Sequence, residues 1–190
     1  RLSDLACYEG YYQIAIEQFS ECLEISQKLN DQYTQAVLLN NLGTIYHVWK
    51  DYPIAQNYYE QSLLLCREIG DLDGAALAQN NLGEISTALG NYANAFKCID
   101  EALKMTERNG GQWTKIICLN SMGELYLKME QYDKSEKTLL SALRLAVAIQ
   151  GIALVVRISI NLGRVYQLQG SYFKAGLLLK AAVTHSSTEH

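Results

Sequence analysis

The side chains best suited to chemistry in this sequence are amides that recur at regular intervals. They occupy two adjacent positions, with one serine in the series: Asn40, Asn41, Asn80, Asn81, Asn120, Ser121 and Asn161. A carboxamide both donates and accepts hydrogen bonds, so it can pair with the N–H and C=O groups of a peptide backbone. The same amides could instead bridge neighbouring helices or face water. Their recurrence at one position favours contact with a ligand over this alternative.

Catalytic chemistry has no comparable support in the sequence. The three histidines are His47, His185 and His190, and no phosphate-binding Gly-x-x-x-x-Gly-Lys, His-Glu-x-x-His or Gly-x-Ser-x-Gly motif occurs. The five cysteines form no Cys-x-x-Cys pair, which argues against zinc and against a disulfide framework. We therefore expect no enzyme activity, no metal and no cofactor, and we expect reduced thiols in a cytoplasmic protein.

Charge and composition exclude two further classes of partner. The net charge of −4 provides no basic surface for a phosphate backbone, so we expect no nucleic acid. The longest aliphatic run, Ile152 to Val156, is far too short to cross a bilayer, so we expect no membrane. With 49% hydrophobic residues the chain can bury a substantial core.

The positions of these amides follow from a repeat with a period of 40 residues. Glycine recurs at positions 43, 83, 123 and 163, and Ser3 takes the same place one period earlier. A fixed period of this size indicates stacked supersecondary units. We predict a single repeat domain of five units, 1–30, 31–70, 71–110, 111–150 and 151–190. The first unit begins in mid-helix and without Met, so we expect the chain to be a segment of a longer protein.

Two helical patterns alternate within each unit. Capping residues mark the breaks between them, namely Asp51, Asn91 and Ser171 within units and Asp31 and Asp71 between units. The predicted helices are 1–9, 12–29, 32–49, 52–69, 72–89, 92–109, 112–129, 132–149, 152–169 and 172–186. Small residues seven positions apart flank a bulky one in each second helix, as in Ala55, Tyr59 and Ser62, which lets two helices approach closely. The recurring glycines, Gly43, Gly83, Gly123 and Gly163, are predicted to lie at that contact.

The motif Leu42-Gly43-x-x-Tyr46, followed by Ala55, Tyr59 and Ser62, resembles the tetratricopeptide repeat over the whole chain. The period of 40 exceeds the 34 of the common form, and such long repeats are similar to those of kinesin light chains, Pins-type adaptors, Rap regulators, STAND-class ATPases and maltose-regulator-like activators. The resemblance implies an all-α fold, an α-α superhelix (solenoid) of about five helix pairs. It also implies that the first helices line a concave groove for a peptide or protein segment, and that the asparagine two before the glycine holds the ligand backbone.

Residues beside the amides are predicted to give this groove its charge. The residue after the glycine is Thr44, Glu84, Glu124 or Arg164, and Arg157 lies six positions before the last glycine. We therefore predict a groove that is acidic and apolar in its middle and basic in the fifth unit. The alternative is that these are ordinary solvated helix faces.

Two function classes remain open from the sequence. In the first, the chain is a protein–protein interaction module, the sensor or scaffold part of a larger signalling or regulatory protein. In the second, it is a structural spacer or oligomerisation rod whose groove is filled by its own flanking sequence. The apolar last helix, with Leu178 and Val183, and the shortened first helix predict self-association through uncapped ends.

Overall fold

The computed structural model of the protein describes residues 2–109, 111–174 and 176, with side chains at 11–108, 111–174 and 176. Over these residues the chain forms helices and turns, and no strand occurs among them. In chain order the helices are α1 (Leu2–Lys28), α2 (Gln32–Val48), α3 (Tyr52–Ile69), α4 (Leu72–Ala88), α5 (Tyr92–Asn109), α6 (Gln112–Lys128), α7 (Tyr132–Ala148) and α8 (Ile152–Leu168). The predicted all-α solenoid is confirmed.

The contacts between helices define an inner and an outer layer. Each helix packs on the next along the chain, and in addition α2 contacts α4, α4 contacts α6, and α6 contacts α8. No corresponding contact joins α3 to α5 or α5 to α7 in the described part of the chain. The first helices therefore lie closer together than the second helices, which places them on the concave side of the superhelix.

Short turns separate the helices and are fixed by caps of the predicted kind. The carboxylates of Asp31, Asp51 and Asp71 accept hydrogen bonds from backbone N–H groups in the first turns of α2, α3 and α4. In most of the described turns one residue adopts the left-handed conformation, for example Gly70, with a φ of 75°, and Glu130, with a φ of 59°. All the residues with a positive φ in the described part of the chain lie in these turns.

The recurring glycines lie where the two helices of a unit come closest. A Cβ atom at Gly43 would lie 2.7 Å from the ring of Tyr59, and one at Gly123 would lie 2.5 Å from Cγ of Leu139. Those bulky residues are buried, with exposed fractions of 1% and 0%. The predicted packing role is confirmed at these two glycines, because a side chain there would have no room.

The first unit departs from the predicted helix boundaries. We predicted helices at 1–9 and 12–29 with a break at Gly10–Tyr12, but α1 continues through this segment as one helix. Tyr11 stands where Asp51 and Asn91 cap their helices, and tyrosine is a poor cap. In addition, a helix of nine residues would offer little surface to repay a chain reversal. The predicted helix 172–186 lies largely outside the described residues, as do the side chains of Leu178 and Val183.

None of the described helices is both long enough and apolar enough to cross a membrane.

Candidate functional site

The inner face of the solenoid carries hydrogen bonds that run from one first helix to the next. Asn81 Nδ2 on α4 donates to Asn40 Oδ1 on α2 over 2.9 Å, and Asn161 Nδ2 on α8 donates to Asn120 Oδ1 on α6 over 3.0 Å. Both donors are buried, with exposed fractions of 9% and 5%. This pairing is what the bridging interpretation of the amides expects at these positions. Contact of the amides with a ligand stays a prediction.

A different arrangement joins α4 to α6, where serine replaces the asparagine. Ser121 Oγ donates to Glu84 Oε1 over 2.6 Å, and Asn80 Nδ2 donates to the same oxygen over 3.2 Å. Asn80 is fully buried, and its Oδ1 has no hydrogen-bond partner in the described structure. At the equivalent position Asn40 and Asn120 each accept a bond from the next unit, so the shorter Ser121 accounts for the unsatisfied oxygen.

A cavity of about 190 Å³ opens at this junction on the concave side. Three of the predicted site residues, Glu84, Ser121 and Glu124, line it, and α2, α4 and α6 all contribute to its wall. Its polar lining offers carboxylate and hydroxyl oxygens to an incoming group, which suits a ligand rich in hydrogen-bond donors. The sequence thus located three residues that the fold brings together in one place.

The remaining predicted residues lie elsewhere on the first helices. Thr44 is exposed on α2 and accepts a hydrogen bond of 3.3 Å from the hydroxyl of Tyr59. Asn41 is partly buried and makes no side-chain hydrogen bond with any described residue. Arg157 and Arg164 are both exposed on α8, away from the cavity lining. The fold therefore does not gather all twelve predicted residues into one pocket, but spreads them along the groove.

Burial, together with the negative charge of Glu84, raises the pKa of two side chains, those of Tyr59 and Cys118. Burial raises the pKa of the Tyr59 phenol to about 12, with a smaller contribution from the charge of Glu84. Burial likewise raises the pKa of the Cys118 thiol to about 12, and Glu84 again adds to this. Both groups therefore stay protonated and neutral near neutral pH, which leaves the carboxylates as the charged acceptors of the site.

Four residues that line the cavity were not among the predicted contacts. They are His47, Thr87, Ala88 and Lys128. Each lies four or five positions after the glycine of its unit, about one helical turn beyond Thr44, Glu84 or Glu124. Helical periodicity therefore contained the signal, because residues three or four apart share a face. His47 thus lies on the cavity wall.

Other features of the described residues offer weaker sites. A larger cavity of about 450 Å³ lies at the turn between α6 and α7, and none of the predicted site residues line it. Across the described residues, no group of three or more His, Cys, Asp or Glu side chains is arranged to hold a metal ion.

Comparison with known proteins identifies the repeat. The family model described as tetratricopeptide repeat matches residues 1–68 and 74–146. Among solved structures, BtubC (BKLC) from P. vanneervenii is 26% identical, with a TM-score of 0.70 over 98% of this chain and 77% of that chain. No curated protein matches the sequence.

Two more distant structures share the fold alone. A Rap protein complexed with Competence and Sporulation Factor is 15% identical, with a TM-score of 0.84 over 95% of this chain and 50% of that chain. A STAND protein with a tetratricopeptide repeat sensor from Pyrococcus horikoshii is 20% identical, with a TM-score of 0.69 over 96% of this chain and 30% of that chain. The present chain thus corresponds to half or less of the length of these two proteins.

Proposed function

This chain belongs to the tetratricopeptide repeat family, and we propose that it binds a peptide or protein segment in the concave groove formed by α2, α4, α6 and α8. The observation that carries the proposal is the cavity between these inner helices, lined by Glu84, Ser121 and Glu124. Members of this family are in general interaction modules, and we propose no catalytic reaction for this chain.

The distribution of polar groups supports an extended ligand. Side chains with unused hydrogen-bonding capacity occur at successive units along the groove, from Asn41 in the second to Arg157 and Arg164 in the fifth. A linear segment can reach all of them, whereas a small molecule would fill a single pocket. The carboxylates of Glu84 and Glu124 in the middle and the two arginines farther along would fix the direction in which the segment lies.

We also propose a role for the paired amides. Asn81 and Asn161 hold consecutive inner helices at a fixed spacing, so the groove has its binding geometry before the ligand arrives. Such pre-organisation lowers the entropic cost of binding. Asn41, whose amide is free of described hydrogen bonds, would then be the first of these residues to contact a ligand backbone.

We further propose that the chain is the sensor or scaffold part of a larger signalling or regulatory protein. The STAND protein that shares the fold carries a tetratricopeptide repeat sensor, and the Rap protein is complexed with Competence and Sporulation Factor. We further propose a cytoplasmic location, since Cys66, Cys98 and Cys118 are free, buried thiols of the kind that a reducing compartment preserves.

Selection of random peptides displayed on phage, with the whole chain as bait, tests the proposed function. We expect the selected peptides to share a motif and to bind the chain in calorimetry. Glu124→Arg should weaken their binding by about tenfold or more, because it reverses a charge on the cavity wall. Glu107→Arg, an equal charge reversal at an exposed position on α5, is the matched control and should leave binding unchanged.

Two results would contradict this proposal. One is the absence of any shared motif after selection. The other is equal binding by the native chain and by Glu124→Arg. A mass that rises with protein concentration, together with failure to bind peptide, would instead support the spacer or oligomerisation rod. Sedimentation over a concentration series measures that mass directly.

A further inference from the structure

We infer that the cavity between α4 and α6 receives an arginine side chain of the bound segment, with Glu84 as its principal acceptor. This inference rests on the proposed binding of a segment in the groove, and it adds the chemistry of one ligand residue. It is carried by the hydrogen bonds of Glu84, by the unsatisfied oxygen of Asn80 and by the lining of the cavity.

The carboxylate of Glu84 is held in position by hydrogen bonds to only one of its two oxygens. Oε1 accepts both described hydrogen bonds, from Ser121 Oγ and from Asn80 Nδ2, whereas Oε2 accepts none from the described residues. No lysine or arginine within the described residues forms an ion pair with it. Oε2 is therefore available to a ligand cation, which would form a charge-assisted hydrogen bond with it.

A second observation, independent of the carboxylates, points to the same place. Asn80 Oδ1 belongs to a fully buried side chain and has no partner in the described structure. In the neighbouring units the equivalent oxygens of Asn40 and Asn120 accept from the amide that follows one unit later. By this repeat, the donor that Asn80 lacks would come from position 121, on the cavity wall. The junction between α4 and α6 therefore lacks the donor that the other junctions have, at a buried position next to the cavity wall that Ser121 forms.

The cavity as a whole contains more acceptors than donors. Glu84 and Glu124 contribute four carboxylate oxygens, and Glu124 makes no hydrogen bond with a described residue. On the same wall the hydroxyls of Ser121 and Thr87 already donate, to Glu84 Oε1 and to the backbone oxygen of Gly83. Lys128 is the one ammonium group of the lining, so the two carboxylates leave a net negative charge.

The guanidinium group fits this imbalance better than other side chains. It carries five N–H donors and no acceptor, and its planar fork can engage two oxygens of one carboxylate or span two carboxylates. A lysine ammonium offers three donors from a single point. It is also more strongly hydrated, so its transfer from water into the cavity costs more free energy. An acidic or purely apolar ligand residue would leave Glu84 Oε2 unpaired.

The peptides obtained by phage selection provide the probe for the test. We expect arginine at one position of the shared motif, and we expect its replacement by citrulline, a neutral residue of the same shape, to weaken binding by about tenfold or more. In Glu84→Gln the two peptides should bind equally well. Glu107→Gln, the same substitution at an exposed position on α5, is the control and should retain the full preference for arginine.

A second variant keeps the test decisive if Glu84→Gln should disturb folding. Ser121→Asn restores the amide that pairs the other junctions, so it should satisfy Asn80 Oδ1, occupy part of the cavity and preserve the melting temperature. It should also reduce the preference for arginine over citrulline, because the larger side chain takes up space that the guanidinium group needs. Unchanged preference in both variants would overturn the inference.

The remaining outcomes separate this inference from the proposed function. A shared motif without arginine, equal binding of the citrulline peptide to the native chain, or equal acceptance of lysine would overturn the arginine site and leave groove binding intact. Failure of the selection to yield any motif would overturn the proposed function, and this inference with it.

Discussion

Replacing Gly83 by leucine should destabilise the middle of the array. A Cβ atom at this position would lie 2.6 Å from Ile99 Cγ1 and 3.3 Å from the carbonyl oxygen of Ala95. Ile99 is 0% exposed, so it cannot turn into solvent. Such overpacking costs about 1–3 kcal/mol, while leucine regains a part of this through its better helix propensity. We expect a net loss of about 1 kcal/mol, or a fall in melting temperature of about 2–4 °C.

Circular dichroism during heating and urea unfolding measures this loss. Ala93→Leu introduces the same side chain at an exposed position of α5 and should change stability by less than about 0.5 kcal/mol. Adding Ile99→Ala to Gly83→Leu should cost less than the two single changes together, because the smaller side chain makes room for the larger one. An unaltered melting temperature for Gly83→Leu would refute the proposed close packing of α4 on α5.

Three further predictions follow from individual residues. Glu130 has a φ of 59°, so Glu130→Gly should raise the free energy of unfolding by about 1 kcal/mol in urea titration, and no gain would count against left-handed strain. Asn161→Ala leaves a buried acceptor unpaired and should cost about 1–3 kcal/mol, whereas Asn41→Ala should cost less than about 0.5 kcal/mol; equal losses would contradict the assigned roles. Burial raises the pKa of Cys118 from 9.0 to about 12, so the unfolded chain loses this proton first. Stability should therefore be complete below pH 9 and fall as the pH rises toward 12, and Cys118→Ala, compared in urea at pH 8 and pH 10, should show a smaller fall.

Much of the architecture could be predicted because the same sequence pattern recurs in several units. The same helix boundaries recur at an interval of 40 residues, so an error at one break is corrected by the others. The packing glycines were predictable for the same reason, since a bulky residue flanked by small ones recurs in every second helix, and Tyr59 and Leu139 are the ones that face Gly43 and Gly123. The break at Gly10–Tyr12 was wrong because the first unit has the spacing without the capping side chain or a long helix before it.

The detail of the candidate site depends on a departure from the repeat, which a periodic pattern cannot convey. Ser121 was predicted in one series with the asparagines, but in the structure its hydroxyl donates to Glu84 on the preceding unit. This contact depends on how close α4 lies to α6, and that distance cannot be predicted from the local sequence of either helix. The cavity beside it depends on three helices together, so helical periodicity could place Lys128 on the same helix face as Glu124 but could not show that a cavity lies there.

The amide bonds between inner helices have a consequence for how the array unfolds. They link neighbouring units rather than the two helices of one unit, so they contribute to nearest-neighbour coupling, which determines how cooperatively a linear array opens. The second and third units share one such bond, and the fourth and fifth share the other. The third and fourth units lack an amide pair and are joined instead by the bond from Ser121 to Glu84. A segment that fills the cavity there would add to the coupling across this junction, and its binding should slow hydrogen exchange on both sides of it.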